Sequence, residues 1–174
     1  PPLRPRGPGA MSVEYKVTGM EELTAKLKTV SSDMKRKGGR YALRKAAQVL
    51  RDQARMNAAR VDDPRTPEDI AKNVVERWDS RTFKKTGNLG FRVGVLGGAK
   101  GYAKASGEVK GKGKENPGGD TFYWRFLEFG TRKMAARPFI RSAMNRGQEA
   151  VGKFINEYGK ALDRALRRAG RGGK

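Results

Sequence analysis

Residues 122–139 read FYWRFLEFGTRKMAARPF, and the way this block folds decides the architecture. Strand alternation would set Phe122, Trp124, Phe126 and Glu128 on one face and Tyr123, Arg125, Leu127 and Phe129 on the other, burying a charge whichever face turned inward. A helix avoids that conflict. With Asp120 or Thr121 as N-cap, Phe122, Phe126 and Phe129 fall at i, i+4 and i+7, with Tyr123 and Leu127 beside them. Gly130 then stands where a helix commonly ends in a left-handed residue. The block is expected to be a short buried helix, with a strand as the runner-up.

Downstream, Arg137-Pro138 is expected to open the last and clearest helix, because proline suits the first helical position. Ile140, Met144, Gly147, Val151, Phe154, Tyr158, Ala161 and Ala165 keep a near-helical rhythm. From 138 to about 168 this is ~45 Å of helix. A basic tail over 168–174 follows; Arg164, Arg167, Arg168 and Arg171 lie near the helix end, where cations complement the dipole. Gly130 lets the chain reverse between the two helices, so Phe129 and Phe139 are expected to meet and clamp them together. Glu128 is expected to pair with Arg132 or Arg137 across the turn.

Upstream lies GAKGYAKASGEVKGKGKENPGGD, residues 98–120. Lys100, Lys104, Lys110, Lys112 and Lys114 are interleaved with glycines, which leaves little to bury; 98–119 is expected to be a long flexible loop. Its cations would suit DNA or an acidic partner, and a solubilising insertion is the plainer reading. Before it, Phe91, Val93 and Val95 alternate as a strand, preceded by a turn at Thr86-Gly87-Asn88. Thr66 as N-cap, Pro67 behind it and Glu68 and Asp69 in the first turn predict a helix from 67 to about 77. Ala42, Ala46, Val49, Leu50, Gln53 and Ala54 mark another helix to about residue 60, with Gly38 and Gly39 expected to interrupt before it. Met20, Leu23, Leu27 and Val30 give a first helix, and Val13, Tyr15 and Val17 a short strand. Residues 1–10, with four prolines and two glycines, are expected to be a disordered extension or an expression scar ahead of a natural start at Met11. Residues 11–174 are then expected to form a single domain. The fold class expected is α+β: a small antiparallel sheet packed against long N-terminal and C-terminal helices.

The chain carries 39 Lys and Arg against 18 Asp and Glu, a net charge of +21. Self-repulsion of this size calls for an anionic partner, with nucleic acid foremost. No stretch approaches the ~20 apolar residues of a spanning helix. With no Cys and no His, disulfides, Cys/His zinc sites, Cys nucleophiles and His general bases are excluded. Asp62-Asp63 and Glu68-Asp69 read as turn and helix-start residues, so a nuclease or other enzyme has least support, and no cofactor or metal is expected.

FLEFGT at 126–131 and RPF at 137–139, taken with VTGMEEL at 17–23, QVLRDQAR at 48–55 and TGNL at 86–89, give the chain a recognisable order of features. It resembles the tail-component proteins of long-tailed bacteriophages, also described as tail-completion or neck proteins and typified by gene product ten of the lambdoid phage HK-ninety-seven. The resemblance spans most of Met11 to Leu166. Two features depart from it: the 98–119 loop is longer, and the segment before the TG turn is stretched. The resemblance implies a non-enzymatic virion protein, assembled in the host bacterial cytoplasm into a hexameric ring in the tail or neck. It would contact the tail terminator, tail tube or head–tail connector, with double-stranded DNA in the channel. Phe126, Leu127, Glu128, Phe129, Gly130, Thr131, Arg137, Pro138 and Phe139 would be its structural and assembly motif. The alternative is a basic nucleic-acid binder of ribosomal or nucleoid type, which fits the charge. Such binders interleave aromatics with their basic patches, whereas here only Tyr102 does so.

Overall fold

The structure is a computed structural model and describes residues 32–97 and 116–171, together with Glu21, Thr24, Lys28 and Gly113. Its elements in chain order are α1 (Ser32–Val61), α2 (Ile70–Asn73), β1 (Val74–Trp78), α3 (Ser80–Thr86), β2 (Phe91–Val95), α4 (Trp124–Phe129), α5 (Ile140–Ala143), a 3-10 turn (Met144–Arg146) and α6 (Gly147–Arg171). β1 and β2 pair antiparallel, Val74 opposite Val95 and Trp78 opposite Phe91. This is the expected α+β arrangement, mostly helical with a two-stranded sheet. Glu21, Thr24 and Lys28 are helical, as a first helix requires. The expected strand at 13–17, the remainder of that first helix, the 1–10 segment and most of the 98–119 loop lie outside the described residues.

The helix α1 organises the rest, because its inner face is built from alanines. Ala42, Ala46, Ala54 and Ala58 recur at multiples of four residues, and all are buried. Small side chains let neighbours approach the helix axis closely. At one end Ala54 and Ala58 meet Ile70, Val74, Phe139 and Ala143; at the other, Ala42 meets Tyr158 and Leu162 of α6. Complete burial of Phe139 contributes about 2–3 kcal/mol of transfer free energy. The interruption expected at Gly38-Gly39 does not occur. The two glycines stay helical and lie against the ring of Tyr158, whose hydroxyl donates to the Lys35 carbonyl at 3.2 Å. They serve the approach of α6 and do not end α1.

The helix expected over 67–77 is replaced by α2 and β1. Thr66 does not cap; its hydroxyl donates to the Asp63 carbonyl, while the Ile70 amide goes to Asp62 Oδ2 at 2.7 Å and the Lys72 amide to Asp69 Oδ1 at 3.2 Å. Helix formation stops at Asn73 because Val74–Trp78 finds a ladder partner in Phe91–Val95, and cross-strand pairing outweighs local helical propensity. The turn at 86–88 is preceded by a helix, α3, that sequence reading missed. Asp79 caps α3 by accepting from the Thr82 amide and hydroxyl, and it pairs with Arg92 of β2. Hydrogen bonds from Arg92 and then Thr82 hold the Asp79 carboxyl well below the usual carboxylate range.

The final helix does not run unbroken from Pro138. Four residues of α5 are followed by the 3-10 turn and only then by α6. Asn57 of α1 donates to the Phe139 carbonyl and to Ser142 Oγ, tying α5 down. The tighter 3-10 turn then redirects the chain along α1.

Candidate functional site

The aromatic block carries the largest correction and the most distinctive site. Helix α4 begins at Trp124, two residues later than expected, and neither Asp120 nor Thr121 caps it through a side chain. Thr121 offers its carbonyl to the Trp124 amide, and its hydroxyl accepts from Asn73. Helix α4 is also rotated relative to expectation. Its inward stripe is Trp124, Leu127 and Glu128, not Phe122, Phe126 and Phe129. Trp124, Leu127 and Tyr123 pack on the Phe139 core, Glu128 is 1% exposed, and Phe129 is 64% exposed.

A carboxylate can face inward here because the following segment supplies its donors. Glu128 Oε2 accepts from the amides of Phe139 at 2.8 Å and Ile140 at 2.9 Å, and Oε1 from the amide of Arg141 at 3.0 Å and its Nε at 3.1 Å. Arg141 Nη2 reaches back to the Glu128 carbonyl. These amides belong to the start of α5, where helical N–H groups have no partner of their own. Glu128 therefore acts as an N-cap delivered from a distant point in the chain. The expected partners Arg132 and Arg137 are not used: Arg137 contributes its amide, to the Leu127 carbonyl at 2.7 Å. The Phe129–Phe139 clamp is likewise corrected, since Phe139 is buried while Phe129 faces outward beneath the Arg141 guanidinium, 5.2 Å from the ring centroid.

Between these anchors the chain makes a compact exposed loop. Gly130 takes φ 76°, a backbone region that L side chains rarely enter, and an added Cβ would lie 2.9 Å from the Ala136 amide nitrogen. The Thr131 amide donates to the Met134 carbonyl at 2.9 Å. Thr131, Arg132, Lys133, Arg137 and Pro138 are all exposed. Phe126 is half-buried, edge-on to Phe122, with Arg125 over its face. From 121 to 148 the single carboxylate is Glu128, which is buried. The motif thus exposes one aromatic ring, that of Phe129, together with the cations Arg132, Lys133 and Arg137.

A second buried polar knot secures the start of the block. Asn73 Nδ2 donates to the Gly119 carbonyl at 2.9 Å and to Thr121 Oγ1 at 2.8 Å, and its Oδ1 accepts from the Gly118 amide at 2.7 Å. Gly118 is close enough that a Cβ there would fall 2.0 Å from the Asp69 carbonyl oxygen. Tyr123 donates to Asp62 Oδ1 at 2.9 Å; burial and then Asp62 raise its phenol well above the usual range. A third knot joins α1 to the sheet. Glu76 of β1 accepts from Gln48 and Arg51, with Arg44 at 3.4 Å. Burial alone would raise the Glu76 carboxyl, but the hydrogen bonds from Arg51 and Gln48 outweigh it and bring it down to about 2.

Arg164, Arg167 and Arg168 are exposed on the last turns of α6. The side chain of Arg171 and the cations Lys100, Lys104, Lys110, Lys112 and Lys114 lie outside the described residues. Among the described residues no His/Cys/Asp/Glu cluster is arranged to hold a metal, and no helix is long and apolar enough to cross a membrane. Sequence reading missed Arg141, Asn73 and Glu76. Only Glu76 had a visible signal: Arg44, Gln48 and Arg51 stand at i, i+4 and i+7 on α1.

The family model described as "Bacteriophage HK97-gp10, putative tail-component" matches residues 21–130, well over half of the chain, and its match ends on the glycine that closes α4. No curated protein and no solved structure matches.

Proposed function

Because the chain belongs to the HK97-gp10-like family of bacteriophage tail components, we propose that it is a ring-forming tail-completion or neck subunit. In this reading six copies sit at the head-proximal end of the tail and help join head and tail around the DNA path. The protein is structural and non-enzymatic, and its neighbours are copies of itself and the adjoining tail terminator, tail tube or connector. A ring requires one-way contacts that close on themselves.

The observation that carries the proposal is the exposure of Phe129 directly beside the buried Glu128. Aromatic and arginine side chains are the usual anchors of protein interfaces. Here the anchor is held by at least four hydrogen bonds to one carboxylate, so little loop entropy is lost on docking. The motif from Phe126 to Phe139 thus divides its labour: Leu127, Glu128, Gly130 and Phe139 form the base, and Phe129, Thr131, Arg137 and Pro138 the contact face.

Phage carrying Phe129→Ser test this. The variant should melt within about 0.5 kcal/mol of the parent, as surface substitutions do, while infected cells accumulate separate heads and tails. Immunogold labelling of wild-type particles should mark the neck. Normal yields of joined particles from the variant, or label at the far end of the tail, would overturn the proposal.

A further inference from the structure

We infer that the groove where α1 and α6 cross, lined by Lys37, Tyr41, Arg164 and Arg168, binds the phosphodiester backbone of double-stranded DNA. This goes beyond the ring reading and does not depend on it. The groove encloses about 370 Å³, and Gly38 and Ala161 are among its lining residues. Arg164 and Arg168 stand one turn apart on α6, and Lys37 and Tyr41 one turn apart on α1, about 6 Å in each case. The small residues between the two rows let them approach each other.

Among the described residues no carboxylate lines this groove. Nearby cations have counter-charges: Glu157 of α6 lies between Lys153 and Lys160, and Glu149 of α6 pairs with Arg146 of the 3-10 turn. The helix dipole accounts for arginines near the end of α6, but not for a lysine brought to the same spot from another helix. Gathering three like charges around a concavity costs free energy that a bound anion offsets. Tyr158 and Leu162, packed on Ala42, hold the two helices in this relation whether or not the anion is there. Arginine forks suit phosphate oxygens in particular, and Tyr41, 45% exposed, adds an apolar wall beside them.

The test is fluorescence anisotropy of a labelled duplex of about 20 base pairs, titrated with wild-type protein between roughly 50 and 200 mM salt. The triple variant Lys37→Gln, Arg164→Gln, Arg168→Gln should bind at least tenfold more weakly. Its log affinity against log salt slope should be shallower by about 2.7, which is about 0.9 for each of three phosphate contacts. Removing three other cations, with Arg81→Gln, Lys84→Gln and Lys85→Gln on α3, should leave most of the affinity. Equal losses in the two triples would show diffuse charge attraction and overturn the inference. Displacement of the duplex by polyglutamate at matched charge would overturn it in favour of an acidic protein partner. A second measurement needs no variant: duplex should protect Lys37 of the wild-type protein from acetylation, read by mass spectrometry, and leave Lys84 and Lys85 reactive. Unprotected Lys37 would overturn the inference. Neither assay requires assembly, so a failed groove and a failed ring are read separately.

Discussion

Glu128 and Glu76 are both withdrawn from water in a chain of net charge +21, yet they are neutralised by different means. Glu128 takes three backbone amides from the start of α5 and one guanidinium. Glu76 is surrounded by the side chains of Arg44, Gln48 and Arg51 on successive turns of α1. Backbone donors survive every side-chain substitution except proline, so the Glu128 site is lost chiefly through Glu128 itself. The Glu76 site is spread over several side chains and should weaken in steps. The first arrangement suits a rigid mount for an exposed contact; the second suits a seam between a helix and a sheet.

The contrast is most easily broken at Glu128. Replacement by Ala strands several buried amides and an arginine, and should cost about 3–5 kcal/mol in chemical denaturation. Arg141→Ala should cost much less, since Arg141 is 58% exposed and the three amides remain paired. Equal losses would mean that the guanidinium, not the backbone, holds the carboxylate. At Glu76 the expected effect is smaller and depends on pH. The folded carboxyl lies at about 2 against an ordinary 4.5, so its contribution is present above pH 4.5 and is lost as pH falls toward 2. After allowance for solvent screening of its partners, Glu76→Gln should cost about 2 kcal/mol at pH 7 and almost nothing near pH 2. Urea midpoints measured across that range check the sign. The smallest effect belongs to Arg44→Ala, whose exposed guanidinium stands 3.4 Å from Glu76; it should cost under about 0.5 kcal/mol.

The same contrast explains what could be read in the sequence. The spacing along α6, the alternation at Phe91, Val93 and Val95, and the stop at Gly130 were legible because each follows a local period or a local steric rule. The inward stripe of α4 was not. Periodicity favoured the stripe free of charge, and the true one contains a carboxylate whose donors come from residues 139–141. A buried polar group is intelligible only once its partners are known, and those partners are tertiary. Val74–Trp78 eluded reading for a related reason: a helix start precedes it, and only β2 turns it into a strand. At Gly38-Gly39 the sequence offered a break, and the structure uses the missing side chains to seat Tyr158. The sequence singled out the block from Phe126 to Phe139 as a group, while which of its residues are buried and which exposed is decided by tertiary packing.

The knot around Asn73 has a consequence for how this chain can change over time. Leu96 donates its amide to the Asn73 carbonyl, while the Asn73 side chain holds Gly118, Gly119 and Thr121. Departure from β2 and return toward α4 are therefore pinned to one residue. Whatever length of polypeptide runs between them leaves and re-enters at nearly the same point, so each doubling of that length adds only about 0.6 kcal/mol of closure entropy. With both ends of that span fastened at Asn73, a change in its length is expected to leave the scaffold on either side undisturbed.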